Sequence, residues 1–110
     1  MPKIYSLLLT MALAYSAPAL AGQQTGPITQ ILKRASDGLI YFYMTGQATG
    51  RPACAAGTTY WMVKDENSVT GKQQLAMLMT ARATGQTITV VGSGTCVRWG
   101  DGEDVDYVIL

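Results

Sequence analysis

The chain has 110 residues, with eight Lys+Arg, seven Asp+Glu, no His and two Cys. That length allows one domain, and the lack of histidine excludes a Ser-His-Asp triad, a Cys-His pair and imidazole zinc ligands. A net charge of +1 argues against a binder held on nucleic acid by phosphate contacts, and 48% hydrophobic residues argue against a disordered tail.

Residues 1–21 read as a secretory signal peptide. Lys3 supplies the positive start, Ile4 to Tyr15 is apolar, and Ala19-Leu20-Ala21 follows the helix breaker Pro18 with small residues at both inspected positions. The apolar stretch falls short of the about 20 residues a membrane span needs. Cleavage is expected before Gly22, giving a secreted or periplasmic protein with no membrane span and one domain over 22–110. Loss of Lys3 leaves its acidic and basic groups balanced. A domain of this size buries only about 60% of its unfolded surface, so a covalent staple helps.

Cys54 and Cys96 are the only thiols, and export places them where disulfides persist. An intramolecular bridge is the favoured reading, against a free thiol or an intermolecular bond. It closes a loop of about 43 residues, for which chain entropy gives roughly 4 kcal/mol. Two Cys without His make half a metal-ligand set, so no metal or other cofactor is expected.

In chain order, Gly22 to Pro27 reads as a flexible leader. Ile28 to Ala35 reads as a rather polar first strand, and Ser36-Asp37-Gly38 as a turn. Leu39 to Thr45 is dense in aromatic and β-branched residues and apolar on both faces, which predicts a central strand. Gly46 to Gly57 is a long loop holding Cys54, and Thr58 to Val63 a third strand. From Val69 to Thr84 the period becomes helical, with Leu75, Leu78, Met79 and Arg82 at i, i+3, i+4 and i+7. Ser68 or Thr70 caps its start and Gly85 ends it. Thr87 to Gly92 is a fourth strand, which Cys96 to Trp99 extends. After the turn Gly100-Asp101-Gly102, Asp104 to Leu110 is the last strand, with Val105, Tyr107 and Ile109 inward.

The order β-β-β-α-β-β is that of the OB-fold, a five-stranded barrel with its helix between the third and fourth strands. The alternative is an α+β sandwich with the helix across an open sheet.

Ile28-Thr29-Gln30, and the helix-to-strand run Leu75 to Gly92 through Thr84-Gly85-Gln86, resemble the B subunits of pentameric-B bacterial toxins, closest to that of subtilase cytotoxin and its pertussis-toxin-like relatives. Gly92-Ser93-Gly94-Thr95-Cys96, with Trp99 and the acidic turn, looks like a group of small exported bacterial proteins. The resemblance implies a homopentamer of OB-fold subunits that docks on cell-surface glycans and delivers a catalytic A subunit. It places Thr25 near the family's glycan-contacting serine. The chain departs from that subunit in Pro27 and in lacking its extra cysteine pair.

Among chemistry-bearing residues, Asp101, Glu103, Asp104 and Asp106 read as a solvated hairpin tip and outer strand face; their spacing is not that of a calcium loop. Gly92-Ser93-Gly94 is followed by neither Lys-Ser/Thr nor a helix, so it is a bend and not a phosphate cradle. Ser36, Asp37 and Ser93 have no neighbouring base, and no enzymatic activity is expected. Of Tyr41, Phe42, Tyr43, Tyr60, Trp61 and Trp99, four or more are expected inside the barrel or at a subunit contact. Trp99 beside Arg98, and Tyr60, are the candidates for an exposed sugar-stacking ring, with Thr25 as a third contact. Leu75, Leu78 and Met79 form the expected buried helix stripe. Met77, Thr80 and Ala81 lie on a second, uncharged side that suits either an oligomer interface or a mildly apolar solvent face. Two readings stand: a glycan-binding toxin-B-type protein, and a periplasmic binding or structural protein with no toxin role.

Overall fold

The computed structural model describes residues 21–110, so the expected signal peptide lies outside the described residues except for Ala21. Five strands form a closed barrel in the order β1-β2-β3-β5-β4. They are β1 (Gln23–Lys33), β2 (Ile40–Met44), β3 (Tyr60–Met62), β4 (Thr87–Gly92) and β5 (Glu103–Ile109). The helix α1 (Val69–Thr84) lies between β3 and β4. Every neighbouring pair is antiparallel except β3 and β5, whose parallel pairing of Trp61 with Glu103 closes the barrel. This is an OB-fold-like barrel, and it excludes the open-sheet alternative.

Alternation builds the core. Ile40, Phe42 and Met44 point inward from β2, Trp61 from β3, Ile88 and Val90 from β4, and Val105 from β5. Trp61 fills the middle, its indole donating to Gln24 Oε1 at 2.8 Å. The buried Gln24 amide in turn donates to the carbonyl of Gly46 at 2.8 Å, so burial leaves this side chain satisfied. Cys54, in a 3-10 turn over Ala53–Ala55, is bonded to Cys96 with the Cα atoms 6.3 Å apart.

Several expectations need correction. Gly22 to Pro27 is not a flexible leader. β1 begins at Gln23 and pairs with β4 as far as Pro27, then with β2 from Ile28. Pro27 sits where the strand changes partner, and only its carbonyl is needed, accepting from Thr45 N. Cys96 to Trp99 does not extend β4; it belongs to the β4–β5 loop. On β5 the inward set is wrong beyond Val105. The register slips, Val105 opposing Gly92 but Tyr107 opposing Val91, and Asp106 becomes the extra residue of a bulge. Tyr107 and Ile109 are therefore exposed.

α1 matches its expected span, with Ser68 Oγ accepting from Gly71 N and Gly85 in the left-handed conformation at φ 66°. Its buried stripe differs from the expected one. Gly71, Leu78 and Ala81 are buried and Met79 is exposed. Ala81, a candidate for an oligomer interface, belongs to the barrel core. A helix that plugs a barrel end presents small residues where it comes closest, and sequence polarity does not reveal that.

Candidate functional site

The alternation that buries Phe42 turns Tyr41 and Tyr43 outward on β2, and Tyr60 of β3 stands in register with Tyr43. The ring centroids lie 6.2 Å (Tyr41–Tyr43), 5.6 Å (Tyr41–Tyr60) and 5.9 Å (Tyr43–Tyr60) apart, all edge to face. Two loops border this patch. The β1–β2 loop brings Arg34, and the β4–β5 loop brings Trp99, with the guanidinium 4.5 Å above the indole ring. Together with Leu39 they enclose a cleft of about 150 Å³. Strands 2–3 and these two loops are the surface on which OB-folds hold oligonucleotides and oligosaccharides.

The loops are held from behind. The buried carboxylate of Asp104 accepts from Thr95 Oγ1 at 2.8 Å, Val97 N at 2.8 Å and Arg98 N at 3.2 Å, which shapes the segment leading to Trp99. Arg98 bonds both oxygens of Glu66 and, through Nη2, the carbonyl of Asp37 at 2.9 Å. That carbonyl belongs to the β1–β2 loop, so one guanidinium ties both loops together. Tyr60 donates its hydroxyl to Asp101. Its phenol is pushed up to about 12, by burial first and by Asp101 next, so it stays neutral. The Asp37 carboxyl is drawn down to about 2 by the Arg34 side chain and the Leu39 amide.

Tyr60 and Trp99, named from the sequence, meet in this cleft, and Trp99 is 40% exposed. Arg98 does not line it; its guanidinium is the clamp behind the loops. Thr25 is elsewhere, on the β1–β4 pairing, with its hydroxyl 2.9 Å from that of Thr89. Of the six aromatics weighed as sugar-stacking or core rings, only Phe42 and Trp61 are fully buried; Tyr41, Tyr43, Tyr60 and Trp99 form the cleft, and the seventh ring, Tyr107, is exposed on β5. Sequence reasoning missed Arg34, Tyr41 and Tyr43. The available signal was the i, i+2 spacing of the two tyrosines opposite Phe42. The acidic set also splits: Glu103 and Asp104 are buried, contrary to the solvated tip expected, while Asp101 and Asp106 are exposed. Met77 is partly buried and Thr80 is exposed on α1.

A larger hollow of about 590 Å³ lies beside Gln24, Gln47, Arg51, Thr58 and Thr59. It has no aromatic wall. Gln24 is already bonded to Trp61 and Gly46, and Arg51 Nη2 to the carbonyl of Tyr60 at 3.0 Å. The aromatic cleft, though smaller, is walled by four partly exposed rings and a cation, and it is the candidate site. Among the described residues, no group of three or more His, Cys, Asp or Glu is placed to hold a metal, and no helix is long and apolar enough to cross a membrane.

Compared with known protein families, curated proteins and solved structures, the chain matches none.

Proposed function

We propose that this is an exported, non-enzymatic binding protein of the toxin-B-subunit type, and that it holds a cell-surface glycan in the cleft of Tyr41, Tyr43, Tyr60 and Trp99. The observation that carries the reading is this set of four rings outside a core already filled by Phe42 and Trp61. A ring left at the surface offers a flat apolar face with polar groups at its rim, which suits the C–H face of a sugar. Arg34 bonds Asp37 through Nε and Nη2, and a guanidinium has further N–H donors for ring hydroxyls or a sugar carboxylate. The assembly implied by the resemblance, a homopentamer with a catalytic partner, belongs to the same proposal. Exposed Met79 on the helix supports a contact surface there.

A glycan array probed with the oxidised protein tests the binding claim. Cell-surface glycan hits are expected, lost in Trp99→Ala and kept in Thr25→Ala. An array without such hits, or hits indifferent to Trp99→Ala, overturns the reading. The native mass reports on assembly. A monomer without hits supports the alternative of a periplasmic binding or structural protein.

A further inference from the structure

Glu103 is fully buried on β5, opposite Trp61. Its Oε2 accepts from Gly22 N at 2.8 Å and from Gly94 N at 3.1 Å, while Oε1 has no donor. Among the described residues, the ion pairs are Arg34–Asp37 and Arg98–Glu66, so no side-chain cation sits on this carboxylate. A buried carboxylate without a cation is unfavourable. Arg51 is the other charged group facing the space. Its charge is felt by Glu103, but the guanidinium lies 4.4 Å over the Trp61 ring and donates to the Tyr60 carbonyl. It leaves its own buried Nε without a partner and forms no ion pair or hydrogen bond with the carboxylate. β4 contributes only glycine here, and the carboxylate of Asp104 is turned into the β4–β5 loop.

The backbone around Glu103 is shaped for a bare chain segment. A Cβ on Gly22 would stand 2.4 Å from Oε1, and one on Gly92 would stand 1.9 Å from Oε2. Gly22 is held in place: its carbonyl accepts from Gly92 N at 2.8 Å, and Gln23 exchanges both backbone bonds with Thr49. Ala21, one residue earlier, is exposed. The buried nitrogen on Glu103 is therefore the atom that cleavage before Gly22 would release.

We infer that hydrolysis of the Ala21–Gly22 bond converts the Gly22 nitrogen into an α-ammonium that seats on Glu103 as its buried counter-ion, so that export processing itself completes the barrel. The hydrolysis, by a signal peptidase, consumes water, leaves a carboxylate on Ala21 and an amine on Gly22, and the amine takes up a proton. An amide offers one N–H, an ammonium three, and Oε1 is the oxygen still lacking a donor. Because Gly22 is buried and Ala21 is not, the cut precedes barrel closure. The inference rests on trimming at this bond and is independent of the glycan cleft.

Pairing with Glu103 raises the ammonium above its ordinary value of about 7.7–8.0. A group raised on folding stabilises the fold fully below its unfolded value and loses that effect as pH rises through the folded one. The test has two arms. Intact mass of the full chain after export is expected to start at Gly22; any other start overturns the trimming. Thermal melts from pH 6 to 11 then compare the chain starting at Gly22 with one retaining Ala21, which keeps the Gly22 N–H bond as an amide and moves the ammonium one residue out, onto exposed Ala21. The Gly22 chain is expected to melt higher below about pH 8, with an advantage that fades as the amine titrates at least tenfold more weakly than a free one. Glu103→Gln is expected to erase the difference. If that variant does not fold, titration of a 15N-labelled Gly22 amine reads the same shift. Coincident curves, or an amine titrating at its ordinary value, overturn the pairing while leaving the trimming intact.

Discussion

Arg98 grips Glu66 at two points, Nη2 to Oε1 at 2.7 Å and Nε to Oε2 at 2.9 Å, in a pair whose glutamate side chain is only 6% exposed. The planar fork fits a carboxylate in a way an ammonium cannot. Trp99 is the next residue, so the fork also fixes one wall of the aromatic cleft. Arg98→Lys keeps the charge and loses the second bond. It is expected to lower stability by about 1–2 kcal/mol in denaturant melts and to weaken glycan binding without contacting the ligand. Unchanged binding in a destabilised Arg98→Lys protein would show that the cleft does not depend on this clamp.

Two carboxylates bonded to this cluster, Asp37 of the β1–β2 loop and Glu66 of the β3–α1 loop, set an acid limit. The side chain of Arg34, then the Leu39 amide, hold Asp37 at about 2, and Arg98 holds Glu66 below its usual range. Groups lowered on folding contribute stability above their unfolded values, about 3.9 for Asp and 4.3 for Glu, and lose it as pH falls through the folded ones. Melting temperature is thus expected to be level above about pH 5 and to fall as pH drops toward about 2. Asp37→Asn and Glu66→Gln should each flatten part of that fall. Asp37 is at the surface, so its share should shrink in high salt while that of Glu66 persists. A limb unchanged in both variants would assign it to other carboxylates.

The Cys54–Cys96 bond spans a sequence separation of 42 and joins the turn before β3 to the loop that carries Trp99. Constraining a loop of this size removes about 4 kcal/mol of unfolded-state entropy in the chain model. For a domain of this size, the double variant Cys54→Ser/Cys96→Ser is expected to melt on the order of 10–30 °C lower. Reduction of the native protein should reproduce the drop. Equal melting of the reduced and oxidised forms would remove the bond from the stability argument.

What could be read from the sequence divides along the range of the interactions that decide it. The helix was legible at both ends because Ser68 and Gly85 act on their own turns. Tyr41, Phe42 and Tyr43 announced a strand, and export singled out the Cys54–Cys96 pair. The failures came from contacts made at a distance. Gly26 and Pro27 look like loop residues, but β4 supplies a partner to that segment. The extra residue at Asp106 reverses the faces of Tyr107 and Ile109, and no local pattern marks it. Asp104 looks solvated until the β4–β5 loop folds its own amides onto it. Of the site, the sequence offered Tyr60 and Trp99. Arg34 was hidden because its neighbour over the ring comes from a residue far along the chain.

Gly71 sets local propensity against packing. It lies in the first turns of an α-helix, where Ala exceeds Gly by about 1 kcal/mol, so propensity alone predicts that Gly71→Ala stabilises. The added Cβ would stand 1.8 Å from the carbonyl oxygen of Asp65 and 3.1 Å from Oγ of the capping Ser68. The first contact is with backbone, which cannot swing aside as a side-chain tip can. Relief requires moving the β3–α1 loop or the helix start, which disturbs the Ser68 cap, and overpacking of this kind costs typically about 1–3 kcal/mol. The clash outweighs the propensity gain, and Gly71→Ala is expected to melt lower than the parent chain. Gly57→Ala is the matched control. Nothing lies within 4 Å of its added Cβ, so its melting temperature should hold or rise slightly. A Gly71→Ala protein as stable as the Gly57→Ala protein would mean that the close approach of Asp65 to the helix is not what holds this end of the barrel plug.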